Sequence, residues 1–300
     1  LGFGGIKMLK GIITPMITIL DKERRIDFEG NKKMIETLIE GGVNGILFMG
    51  SIGEFFAMKM EERKEFISFA VKTVNKRVPV LIGTGGTSVD EVIELTKFAE
   101  TAKADAAVII SPYYFKLNDQ AIYNYYSDIA KNTKLPIFIY NFPERTAVNI
   151  NPKLVLKLAG EFPNIVGIKD TVDGMSHTRE LIDIVKGEIP DFAVFSGFDE
   201  YLIPNLLSGG NGLIAGLTNV FPKLFTDAYK AFTREDFQEI NKFQKKVNRL
   251  MSIYSAAPYF ITTIKTIKAL QGLDIVPMPK KPYGLLDNDS IEKVKKIIKN

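Results

Sequence analysis

A lysine ends the apolar run Ile165-Val166-Gly167-Ile168-Lys169, just ahead of Asp170. Such a run reads as a strand buried on both faces, where an ammonium is costly unless it is paired or put to use. Desolvation disfavours the charged form of a lysine, and the free amine attacks a carbonyl carbon to form a Schiff base. The run alone also fits a lysine at a frayed strand end, reaching water or pairing with Asp170. Other short apolar runs end in groups suited to carbonyl chemistry: Gly50-Ser51-Ile52-Gly53-Glu54, Ser111-Pro112-Tyr113-Tyr114, and Tyr140-Asn141-Phe142-Pro143-Glu144-Arg145-Thr146. Amine, hydroxyl, phenol and guanidinium converge if these ends share one face.

The elements that must position them follow a regular order. Apolar runs recur at residues 12–13, 45–48, 80–82, 106–110, 137–140, 165–169, 192–195 and 213–215. Between them lie amphipathic stretches of helical length, such as Phe66, Phe69, Ala70 and Val74 on one face and Val92, Leu95, Ala99 and Ala102 on another. The repeat of about thirty residues is that of a βα unit with its crossover. Eight units over residues 8–232 predict an α/β fold, a (β/α)₈ TIM barrel, whose catalytic groups stand where strands end and loops begin. A doubly wound open sheet competes, but no Gly-rich fingerprint follows the first strand. After Phe232 the strand signals stop, and residues 233–300 read as a C-terminal helical extension packed on the barrel.

Composition narrows the chemistry. The chain has 300 residues, 46% hydrophobic and 25% charged, with no cysteine and one histidine, His177. A thiolate nucleophile and a cysteine or multi-histidine metal site are therefore excluded, and no metal or cofactor is expected. The net charge of +4 is interleaved along the chain, so nucleic-acid binding is not expected. No apolar run has membrane-spanning length and no signal peptide is evident, so a cytoplasmic protein without membrane contact is expected. Residues 1–7, ahead of Met8, carry no weight. Gly83-Thr84-Gly85-Gly86-Thr87 looks like a phosphate cradle, but it lacks the lysine of a P-loop and reads as a βα turn. His177 is read as an outer-helix residue, and Asp199, after Ser196-Gly197-Phe198, as a helix cap or a group behind the site.

The motifs Gly50 to Glu54, Pro112-Tyr113-Tyr114, Tyr140-Asn141-Phe142-Pro143 and Gly167-Ile168-Lys169, in this order at strand ends, resemble those of the dihydrodipicolinate synthase and N-acetylneuraminate lyase superfamily. The resemblance implies that Lys169 condenses with the keto carbon of pyruvate or a 2-oxo acid, making an iminium that acts as an electron sink. Tyr140 would relay protons, and Ser51 with the backbone of Ile52 and Gly53 would hold the substrate carboxylate, with Ile214 lining the site from the eighth strand. Tyr114 would reach across a subunit interface to complete a neighbour's relay, which implies a homo-oligomer, a dimer or a tetramer.

Two branches of the superfamily are in view. Arg145 matches the synthases, where this arginine binds the carboxylate of aspartate semialdehyde; guanidinium and carboxylate pair in a fork. The synthases also carry two threonines where this chain has Ser51 and Ile52, and Ile52 cannot relay a proton. Gly50-Ser51, Tyr140-Asn141-Phe142-Pro143, and Lys169-Asp170-Thr171-Val172-Asp173 with His177 and Arg179 look more like the 2-keto-3-deoxy sugar-acid aldolases. Sugar-acid cleavage to pyruvate and an aldehyde is the first expectation. Condensation of pyruvate with aspartate semialdehyde is the second, and a barrel that binds a small molecule without catalysis the third.

Overall fold

Strands buried on both faces need a layer on each side, and here helices and the interior of a closed barrel supply them. The computed structural model describes residues 9–299; residues 1–8 and 300, which include the outer bounds of the two expected regions, lie outside these. The order is β1 (Gly11–Pro15), α1 (Phe28–Glu40), β2 (Gly45–Phe48), α2 (Met60–Val74), β3 (Val80–Gly83), α3 (Val89–Thr101), β4 (Ala106–Ile110) and α4 (Asp119–Lys131). It continues with β5 (Ile137–Asn141), the single turn α5 (Pro143–Thr146), α6 (Pro152–Glu161), β6 (Ile165–Asp170), α7 (Met175–Leu181), β7 (Ala193–Ser196), α8 (Leu202–Leu207), β8 (Gly212–Ile214) and α9 (Pro222–Thr233). All eight strands pair in parallel in sequence order, and β8 returns to β1, matching Gly11 with Gly212 and Ile13 with Ile214. An open doubly wound sheet is thereby ruled out.

Local chemistry starts the helices where the loops need them to start. Asp27, Ser88, Asn118 and Asn151 each accept a backbone N–H of the first turn of α1, α3, α4 and α6, and Pro152 opens α6. Closing the barrel demands close backbone approach at a few points. A Cβ on Gly83 would lie 2.0 Å from the Met49 carbonyl oxygen, so this glycine at the end of β3 serves close backbone packing.

The chain then forms α10 (Phe237–Leu250), a 3₁₀ turn (Met251–Ser255), α11 (Phe260–Leu270) and α12 (Asn288–Lys299). Phe243 of α10 meets Phe225 of α9 edge-on at 5.3 Å between ring centroids. Farther on, Gln271 Nε2 donates to the Val220 carbonyl, and the Arg24 guanidinium donates to the carbonyls of Pro279 and Tyr283. The extension is thus fastened over the end of the barrel where β2, β5 and β6 finish. No helix among the described residues is long and apolar enough to cross a membrane.

Candidate active site

Parallel strands in a closed barrel put all their carboxyl ends on one rim, and the reactive groups of β2, β5 and β6 meet there. Lys169, the last residue but one of β6, is only 3% exposed and pairs in register with Tyr140 of β5. Its Nζ lies 4.2 Å from the centre of the Tyr140 ring. Successive side chains of a strand point to opposite faces, which turns Asp170 away from the barrel axis. There its carboxylate accepts from Asn141 Nδ2 at 2.8 Å and Thr178 Oγ1 at 2.7 Å, and it pairs with His177 Nδ1 at 3.0 Å. Asp170 is thus engaged elsewhere, and Lys169 is nearly buried and not splayed at a frayed strand end.

Tyr140 links the amine to the loop after β2. Its hydroxyl lies 3.3 Å from Ser51 Oγ. Ile52 is buried and lines the same cavity, but Gly53 does not act as expected. The Gly53 N–H donates to the Gly50 carbonyl at 3.0 Å and its carbonyl accepts from Thr18 Oγ1, so its backbone is used in closing the turn and is not offered to a carboxylate. A cavity of about 300 Å³ opens above Lys169, Tyr140 and Ser51, with Ile214 on its far side.

Three groups there were not assigned to the site by sequence reasoning. Thr171 Oγ1, two residues past Lys169, is buried without a hydrogen-bond partner and borders the cavity. Asp199, expected to be a helix cap or a group behind the site, faces the cavity; its carboxylate accepts from Tyr254 at 2.5 Å and from the Leu217 N–H at 2.9 Å. Burial pushes the Asp199 carboxyl up to about 7, although the Tyr254 and Leu217 donors pull the other way. Burial and the adjacent Asp199 hold the Tyr254 phenol well above its usual range, so Tyr254 is the donor. Tyr254 comes from the 3₁₀ turn of the extension, so that region is part of the site wall and not only an appendage.

The remaining candidates lie farther out. Arg145, on α5, pairs with Glu144 at 3.2 Å and lies over the Phe142 ring at 5.4 Å, yet it borders the Lys169 cavity as well. It also borders a second cavity of about 440 Å³, where Tyr113, Phe55 and Tyr259 form an aromatic wall. The two cavities share Ser51, Phe142, Arg145 and Phe260, so the outer one is an antechamber to the inner. Tyr114 is 89% exposed and does not border the Lys169 cavity of its own chain. Its φ of +96° is strained for an aromatic residue. His177 lies on α7, as expected, but buried: its Nε2 contacts the Ile150 carbonyl while its Nδ1 holds Asp170. Burial works against its protonation, but the Asp170 carboxylate outweighs this and raises its pKa.

Residues 8–300 match the Dihydrodipicolinate synthetase family. The chain belongs to that family. Its members are pyruvate-dependent class I lyases, and this member has the closed eight-stranded barrel of the family. Escherichia coli YagE, named "Putative 2-dehydro-3-deoxy-D-gluconate aldolase", is 37% identical over 97% of this chain and 96% of its own. The crystal structure of YagE with pyruvate superposes with a TM-score of 0.95 over 97% of this chain and 98% of that one. E. coli YjhH, named "Probable 2-dehydro-3-deoxy-D-pentonate aldolase", is 36% identical over 90% of both chains. The 4-hydroxy-tetrahydrodipicolinate synthase of Methanocaldococcus jannaschii is 36% identical over 98% of this chain and 97% of its own. Family membership therefore leaves the aldehyde partner open.

Proposed function

We propose that this family member cleaves a 2-keto-3-deoxy sugar acid reversibly to pyruvate and a short hydroxyaldehyde. The Lys169 amine adds to the C2 carbonyl, and the carbinolamine loses water to give an iminium. The C4 hydroxyl gives its proton to the Tyr140 and Ser51 pair while the electrons of the C3–C4 bond move into the iminium, releasing the aldehyde. The enamine left behind takes a proton at C3, the one removed from the C4 hydroxyl, and water then frees pyruvate and restores the amine. No external oxidant or reductant is needed.

The observation that carries this reading is the set of polar groups that border the cavity beside Lys169. Asp199, Tyr254 and the unpaired Thr171 hydroxyl offer donors and acceptors to a polyhydroxy chain, in a cavity of about 300 Å³. The names given to YagE and YjhH support it, as does Ile52, which removes one hydroxyl from the loop beside Tyr140. Pyruvate release from 2-keto-3-deoxygluconate and from its pentonate analogue is the test; release from neither would remove the proposal.

Condensation of pyruvate with aspartate semialdehyde stays as a second reading, because Arg145 borders the cavity and could exchange Glu144 for a substrate carboxylate. If it holds, Arg145→Ala abolishes that condensation and spares sugar-acid cleavage. Tyr114 is read as a residue that completes the proton relay of a neighbouring subunit, since it stands strained and exposed outside its own cavity.

A further inference from the structure

The loop that carries Ser51 is tied to the C-terminal extension by a fully buried ion pair, Glu54 with Lys265, whose members are both 0% exposed. Glu54 follows Ser51 by three residues, and its N–H donates to the Ser51 carbonyl at 3.1 Å. Its φ of +62° is one that glycine adopts with less strain, so the side chain and not the backbone accounts for a glutamate here. Neither carboxylate oxygen is free. Oε2 accepts from Lys265 Nζ, and Oε1 accepts from the Lys280 N–H at 2.6 Å. Lys265 Nζ also donates to the Met278 carbonyl at 2.9 Å, and Lys280 Nζ reaches back to Glu62 at the start of α2. Segments more than 200 residues apart in sequence are thus joined through one carboxylate.

Buried ion pairs are poor sources of net stability, because desolvation offsets their attraction; what they supply is directional geometry. We propose that Glu54 and Lys265 are positioning residues, through which the extension sets the Ser51 turn at the height the substrate carboxylate and Tyr140 require. The inference rests on the proposed function, taken with Ser51 as the residue that holds the substrate carboxylate, the role the family resemblance implies. Lys169, carried by β6, is outside this linkage. Loss of the pair should therefore weaken pyruvate binding and leave the Schiff-base step itself intact.

The test is titration of pyruvate against borohydride trapping, read by intact mass, in the parent and in the doubly neutral variant Glu54→Gln with Lys265→Met. The pyruvate concentration at half-maximal trapping should rise by about tenfold or more, while the fraction trapped at saturation equals that of the parent. Half-maximal trapping unchanged in a folded double variant would overturn the proposal. So would a fraction trapped at saturation that falls only in step with folded protein measured by circular dichroism, because the pair would then be structural alone. Should the double variant fail to fold, Glu54→Gln alone, which keeps an acceptor for the Lys280 N–H, must show the same kind of shift in smaller measure. Absence of any adduct in the parent would remove the reading of Lys169 itself, and with it this one.

Discussion

The neighbours of Lys169 leave it free for the amine role proposed for it. Asp170 is held by Asn141, Thr178 and His177, which leaves the amine facing the Tyr140 ring. With Tyr140→Phe the proton relay loses its hydroxyl while the apolar ring face remains, so turnover should fall by about 10²–10⁴-fold with little change in pyruvate affinity. Steady-state kinetics set beside trapping titrations separate the two. Asp199 makes a prediction in pH. Its carboxyl titrates near 7 in the fold against an ordinary value of 3.8, so the folded state holds the proton more tightly than the unfolded chain. The stabilisation this gives is complete below about pH 4 and is lost as pH rises through about 7. Asp199→Asn lacks that loss, so its melting temperature should gain on the parent's between pH 5 and pH 8; a constant difference across this range would contradict the assignment. The lysine was legible because a cation in an apolar run is anomalous. Tyr254 was not, because it sits 55 residues past Asp199 in a stretch with no distinguishing pattern, and only tertiary packing joins the two.

Among the elements, the strands were the easiest to read. A parallel barrel buries both faces of every strand, so the runs are continuous in apolar residues and their ends are marked by glycine, proline or polar groups. Gly53 and Gly83 show where that reading stops: a glycine looks the same whether it cradles an anion or lets two backbones touch. The contact at Gly83 makes the difference measurable. Gly83→Ala would push a methyl group against the Met49 carbonyl and should cost about 1–3 kcal/mol in denaturant unfolding. Because Met49 leads into the Ser51 turn, pyruvate affinity should fall as well. The extension was legible as helices but not as a wall of the cavity, since amphipathic periodicity says that a face is buried and not what it is buried against.

At the scale of the whole molecule, the site draws on both regions of the chain. The barrel supplies Lys169, Tyr140 and Ser51, and the extension closes over them with Tyr254 and Phe260. If Tyr114 serves a neighbouring subunit, two inactive variants should complement each other. Lys169→Ala retains Tyr114, and Tyr114→Phe retains Lys169, so hybrids formed by subunit exchange should regain part of the lost turnover. Activity no higher than the sum of the separate variants would show that Tyr114 acts, if at all, within its own chain. The central claim is more direct, that one buried lysine forms the covalent link to pyruvate. Incubation with pyruvate and borohydride, followed by peptide mass spectrometry, should find one reduced adduct per chain on the peptide that contains Lys169, and none in Lys169→Ala. An unmodified parent protein, or an adduct on another buried lysine such as Lys265 or Lys268, would contradict the account.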